Sequence, residues 1–212
     1  MLSYIHKQNN PYHSKGDSEM NFKKIALSVV SSGMLVSMMG AGMTVSAHAV
    51  AKHASGVAMP PVVIQTNVIT GKMDGKKGWP EFAPAFWSVP QNSKVELIIH
   101  SYDDGGAGVT GPNLKVKGTI GNVEYVDGKA VKGFGKNNVA HTITIPQLGL
   151  NIPIPPRSAK EKFVTVVAYF NVAKPGNYTW QCMAQCGSGA SGWGGAMSTP
   201  AWMKGTLKVY KM

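Results

Sequence analysis

From Val62 onward, short runs rich in Val, Ile, Thr and aromatic residues recur between clusters of Gly, Pro and Asn. No segment sustains a 3.6-residue apolar period long enough for a major helix. This pattern restricts the chain to short strands joined by turns. The runs fall near residues 62–70, 94–101, 122–126, 140–145, 162–170, 177–182 and 205–210, with a short helical turn expected at 158–161. Strands at this number and spacing predict an all-β Greek-key sandwich over residues 62–212. A domain of roughly 150 residues buries an adequate core without disulfides. Residues 146–156 are punctuated by Pro146, Pro153, Pro155 and Pro156. Proline donates nothing to a ladder, so this segment reads as an edge or a crossing loop. Residues 102–136 read as an insertion rich in Gly and Asp, with a hairpin around 122–126.

Ahead of this domain, Lys23 and Lys24 precede an apolar, uncharged run over residues 25–45, and Ala47-His-Ala49 supplies the small residues that a signal peptidase reads. Residues 1–49 are therefore expected to be a secretory signal cleaved after Ala49. Residues 1–19 are polar and mixed in charge, which makes Met20 a candidate start. Left uncleaved, the run is long enough to span a bilayer at about 20 residues, and membrane attachment is expected only in that case. Residues 50–61 read as a linker ending in Pro60-Pro61. The expected location is extracytoplasmic: secreted, periplasmic or anchored on the outer face. Outside the cytoplasm two thiols as close as Cys182 and Cys186 oxidise unless a metal or a redox partner holds them.

Charge narrows the partners. The chain carries 21 Lys and Arg against 10 Asp and Glu. The lysines of the domain are scattered, as at Lys115, Lys117, Lys129, Lys132 and Lys136, without Arg clusters or interleaved aromatics. Nucleic acid is therefore not an expected partner. A solvated surface accounts for the charge, and an acidic redox or membrane-complex protein is the partner it would suit. Nothing resembles a Ser nucleophile elbow, a paired-carboxylate arrangement or a His-rich catalytic metal site, so no enzymatic activity is expected.

Three segments carry the chemistry. Asn137-Asn-Val-Ala-His141-Thr-Ile-Thr-Ile145 places a His at a strand start. Pro175-Gly-Asn-Tyr-Thr-Trp-Gln-Cys182 ends a strand in Cys, and Met203-Lys-Gly-Thr-Leu-Lys-Val209 opens the last strand after a glycine-rich loop. In this order they resemble the ligand end of the cupredoxins, the blue copper family, in an azurin- or plastocyanin-like form. Glu81-Phe-Ala-Pro84, Phe86-Trp-Ser-Val-Pro90 and residues 94–101 resemble that family's early strands. The resemblance implies a copper site of two His and one Cys with a weak axial Met. Carried over residue by residue, His141 is the first His, Cys182 the Cys and Met203 the axial Met. The second His is absent, because no His follows His141, and its place falls near Ser198 and Thr199.

Cys182-Met-Ala-Gln-Cys186-Gly187 also resembles the dicopper loop of oxidase subunit II. There the His and Met positions are Ala190 and Trp193, so a dinuclear centre is not expected. Three readings stay open. Cys182 and Cys186 form a disulfide and the domain is a copper-free interaction module or accessory subunit. Or copper binds through His141, Cys182 or Cys186 and Met203, with Met197, in an exposed or half-exposed loop, or His100 as a further ligand. Or a partner protein supplies the missing ligand. The resemblance favours copper binding and electron transfer at an incomplete site.

Overall fold

The computed structural model describes residues 59–189 and 192–212, so the expected signal segment and most of the linker lie outside the described residues. Among the described residues eleven strands are formed: β1 (Val62–Ile69), β2 (Glu81–Ala83), β3 (Phe86–Pro90), β4 (Ser93–Ser101), β5 (Glu124–Val126), β6 (Lys129–Val131), β7 (His141–Ile145), β8 (Leu150–Ile154), β9 (Val164–Val172), β10 (Gly176–Gln181) and β11 (Lys204–Tyr210). The remaining regular structure among the described residues is short 3-10 turns. Residues 158–161 close a turn through Glu161 N–H to the Ser158 carbonyl (3.2 Å) without becoming helical.

Two mixed sheets make the expected all-β sandwich. The first has the order β2-β1-β4-β9-β5-β6 and the second β3-β11-β10-β7-β8. The pairings β1–β4 and β3–β11 are parallel and the others antiparallel. The period-2 pattern explains the packing. On β4, Val95, Leu97 and Ile99 face inward. On β9, Val166, Ala168, Phe170 and Val172 do so, and on β11 Leu207 and Val209. These side chains meet Ile143, Ile145, Leu150, Ile152 and Trp180 in one core. Each fully buried Leu, Ile or Phe contributes roughly 1.5–3 kcal/mol.

The chain changes sheets between β2 and β3. The crossing is held by the Pro84 carbonyl, which accepts Thr66 Oγ1–H and Trp87 Nε1–H (both 2.9 Å), and by the Ala85 carbonyl, which accepts Trp180 Nε1–H (2.9 Å). Gly205 faces this point. A Cβ there would run into the Ala85 carbonyl oxygen and come within 2.8 Å of Trp180 Nε1. The glycine of the Met203-Lys-Gly205 motif is therefore required by close approach of backbone to backbone.

The insertion closes one side of the sandwich. Its hairpin β5–β6 adds to the first sheet beside β9, while Lys117 pairs with Asn151 on β8, the edge of the second sheet. Asn151 Nδ2 also donates to the carbonyls of Asn113 (3.1 Å) and Lys115 (2.7 Å). The proline-containing segment is thus an edge strand with its free side covered. Every residue of β8 is buried as a result.

One buried group stands against this economy. Glu124 on β5 is fully buried and neither carboxylate oxygen has a hydrogen-bond partner. Burial pushes its carboxyl up to about 9, because an ion without partners is poorly solvated there.

Two tests follow from this architecture. Gly205→Ala should destabilise the domain by about 1–3 kcal/mol, as overpacking does, measured as a lower urea midpoint. For Glu124, the folded chain holds its proton between pH 4.5 and about 9 while the unfolded chain has released it. Stability is therefore full below that window and falls as pH rises through it, by up to about 1.4 kcal/mol per pH unit. Glu124→Gln should flatten this slope and raise the melting temperature at pH 8.

Candidate metal centre

The register of the second sheet sets the site. His141 opens β7, Cys182 follows the last residue of β10, and Met203 precedes β11. Antiparallel pairing of β10 with β7 and β11 brings these positions to one end, with Gln181 opposite both Thr144 and Lys204. Cys182 N–H donates to the Met203 carbonyl (2.9 Å), and Thr142 N–H to Cys182 Sγ (3.4 Å). Met183 N–H donates to Thr142 Oγ1 (2.7 Å), which turns the chain out of β10 at the cysteine.

After Cys182 the loop folds back on itself. Cys186 N–H donates to the Ala184 carbonyl (2.9 Å) and Gly187 N–H to the Gly192 carbonyl (2.8 Å). This places Cys186 Sγ 3.2 Å from Cys182 Sγ. Both cysteines are free, and the separation exceeds the bond length of about 2.05 Å. The donor atoms of His141, Cys182 and Cys186 all lie within 4.8 Å of one another.

His141 is almost completely buried. Its Nε2 bonds Asp103 Oδ2 at 2.8 Å, while Nδ1 is buried without a hydrogen-bond partner. Burial alone would pull the imidazole down, but Asp103 and Cys182 outweigh it and push it up to about 9. Burial raises both thiols. At Cys182 it is overcome by the Cys186 and His141 partners and the Thr142 N–H, leaving that sulfur well below the ordinary thiol range. At Cys186 burial and the neighbouring Cys182 act together, so this thiol is held well above it. Cys182 Sγ accepts from Thr142 N–H (3.4 Å) and also lies 3.9 Å from the Ala184 carbonyl, whereas Cys186 Sγ donates to the Ala140 carbonyl (3.4 Å). These directions favour loss of a proton from Cys182 before Cys186.

The other sequence candidates fare differently. Met203 is fully buried at the same strand ends. Met197, expected in an exposed or half-exposed loop, is buried instead, in the turn Gly195–Met197. Its Cγ packs against the backbone at Gly187, and its carbonyl accepts Gln181 Nε2–H (3.1 Å). His100 is not brought to the cluster. On β4 its neighbours Ile99 and Ser101 point inward, so alternation sends it to the outer face, where it stacks on Phe163 with ring centroids 4.5 Å apart. Ser198 and Thr199, at the place of the missing His, spend their hydroxyls on the Gly195 carbonyl. Cys186, not a serine or threonine, completes the cluster.

Asp103 gives no sequence signal as a site residue, because nothing in Tyr102-Asp-Asp-Gly-Gly distinguishes a turn aspartate from a histidine partner. Beside the cluster lies a cavity of about 330 Å³, whose walls include Asp103, His141 and Cys186, with Lys72 and Lys77 from the β1–β2 loop. That loop is anchored by Lys76 Nζ, 3.2 Å over the Trp79 ring, and by Trp79 packing edge-on against Trp202 at 5.1 Å.

No family model and no curated protein matches the chain. Solved structures with similar traces include a Cu-containing nitrite reductase (NirK) from Thermus scotoductus SA-01, at 14% identity and a TM-score of 0.33, covering 71% of this chain and 30% of that one. Auracyanin B is another, at 13% identity and a TM-score of 0.27, covering 73% and 93%. This chain thus spans less than a third of the nitrite reductase's length. The chemistry of the site rests on its own donor atoms.

The two thiols should differ in reactivity. Cys186, half-buried on the cavity wall, should be alkylated by iodoacetamide before the fully buried Cys182, and its rate should keep rising above pH 9. Peptide mapping of partly labelled, metal-free protein checks both points.

Proposed function

We propose that this domain binds copper through Cys182, Cys186 and His141 Nδ1, and that it serves electron transfer rather than catalysis. The observation that carries this reading is the convergence of one imidazole and two thiols within 4.8 Å. Three features support the fit. His141 Nδ1 is a buried nitrogen with no other partner, Cys182 is held toward its thiolate form, and two sulfurs with one nitrogen make a soft donor set that suits Cu(I). Cys186 takes the part that the resemblance assigns to a second His, and Met203 remains the candidate axial ligand. Bound copper would supply one-electron redox chemistry. The protein's share is to keep the ligands buried and oriented and to leave one side open at the Lys72 and Lys77 cavity. Export belongs to the same proposal and is supported by the sequence of residues 20–49, and an acidic redox protein is the partner it suggests.

A second reading is favoured by the 3.2 Å separation of the sulfurs. A small shift would join them, giving a copper-free, disulfide-stapled interaction module.

Titration of reduced protein with Cu(I) against a chromophoric chelator separates the two. One copper per chain is expected, with binding weakened at least tenfold in Cys182→Ser and in Cys186→Ser, as loss of a thiolate ligand from a soft site implies. Protein that takes up no copper when reduced, and that carries a Cys182–Cys186 bond when isolated from an oxidising compartment, would favour the module.

A further inference from the structure

We propose that Asp103 is the positioning residue of this site: its carboxylate accepts the Nε2–H of His141 and so presents Nδ1 to the metal. The proposal rests on reading His141, Cys182 and Cys186 as a metal site. A neutral imidazole has one N–H and one lone pair. An acceptor fixed on Nε2 commits the proton there and leaves the lone pair on Nδ1, the nitrogen with no protein partner. Carboxylates in this role orient a ligating histidine and raise its basicity.

Asp103 is itself held in place. Its Oδ1 accepts Gly105 N–H at 2.9 Å, which leaves Oδ2 for His141 at 2.8 Å. Its carbonyl accepts Arg157 N–H at 2.8 Å, and Arg157 Nε donates to the Tyr102 carbonyl at 2.9 Å. The Arg157 guanidinium closes the arrangement on Asp104 at 2.8 Å. The Phe82 ring lies edge-on to the histidine at 6.2 Å between centroids. The loop that carries the aspartate can approach this closely because Gly106 has no side chain: a Cβ there would come within 2.8 Å of the Asn137 carbonyl oxygen. A carboxylate with both oxygens committed, on a loop tied at both flanks, is built to hold an imidazole at one angle.

The test uses reduced full-length protein loaded with Cu(I), which is diamagnetic, so long-range proton–nitrogen correlation spectra read the His141 ring directly. Wild type should show a slowly exchanging Nε2–H and a metal-bound Nδ1. Asp103→Ala should lose that proton signal and bind Cu(I) about 10–100-fold more weakly. Asp103→Asn keeps an acceptor oxygen of the same shape. It should retain the signal with a smaller loss, and it decides the matter if the alanine variant does not fold. Glu96→Gln, a carboxylate change on β4 whose partner is the Tyr169 hydroxyl, should bind as wild type does. Wild-type affinity and ring signals in both Asp103 variants would overturn the positioning role while leaving the copper site standing. Complete loss of copper in Asp103→Asn would overturn it in favour of direct ligation by the carboxylate. Absence of Cu(I) binding in wild type would remove the site and this role together.

Discussion

Complete burial of His141 is the constraint on which the ligand end depends. An imidazole removed from water must be neutral or must find partners, since an isolated buried charge is costly. Here its Nε2 finds the Asp103 carboxylate, and the Cys182 and Cys186 sulfurs lie within 4.8 Å of the ring. Each partner in turn has to be held. Asp103 is held by Gly105 and by the ties from Arg157 to residues 102–104. Cys182 is held by the Thr142 N–H and by the bond from its own N–H to Met203. Strand, loop and distant arginine are therefore parts of one arrangement, and the low local dielectric makes each hydrogen bond in it count for more.

The rest of the sandwich keeps that end rigid. The second sheet supplies three neighbouring strands whose ends coincide, and ladder registers are stiff because a one-residue slip would turn every side chain to the wrong face. The crossing at Pro84 and Ala85 locks β3 and β11 against Trp180, directly behind the ligand strands. The insertion then covers the β8 edge and extends the first sheet. Its first residues, 103–107, reach the site itself. A segment that looked like an addition to the fold thus both seals an edge and delivers the carboxylate that the histidine needs.

Much of the strand pattern was legible because period-2 burial is a local property: β4, β9 and β11 alternate in the sequence as they do in the sandwich. The order of His141, Cys182 and Met203 was legible for a related reason, since each sits beside a strand terminus that local residues announce. Other features were hidden by their non-local causes. β8 is buried on every residue because the insertion covers it, and its prolines gave no sign of that. Met197 is buried by the way its loop folds onto Gly187, whereas composition pointed to an exposed loop. His100 looked like a ligand candidate until alternation on β4 placed it on the outer face.

The sequence by itself determined an all-β chain and the places of seven of its strands, and the identities of the donors, because hydrophobic alternation and turn chemistry act over a few residues. Tertiary structure decided which donors meet. The sulfur of Cys186, four residues past Cys182, comes within 3.2 Å of its partner only because the glycine loop folds back. Asp103 reaches His141 over a sequence separation of 38 because Arg157 and Gly105 hold its loop there. Contacts of that range depend on how the loops pack over the sheet ends, and that packing is a property of the folded whole.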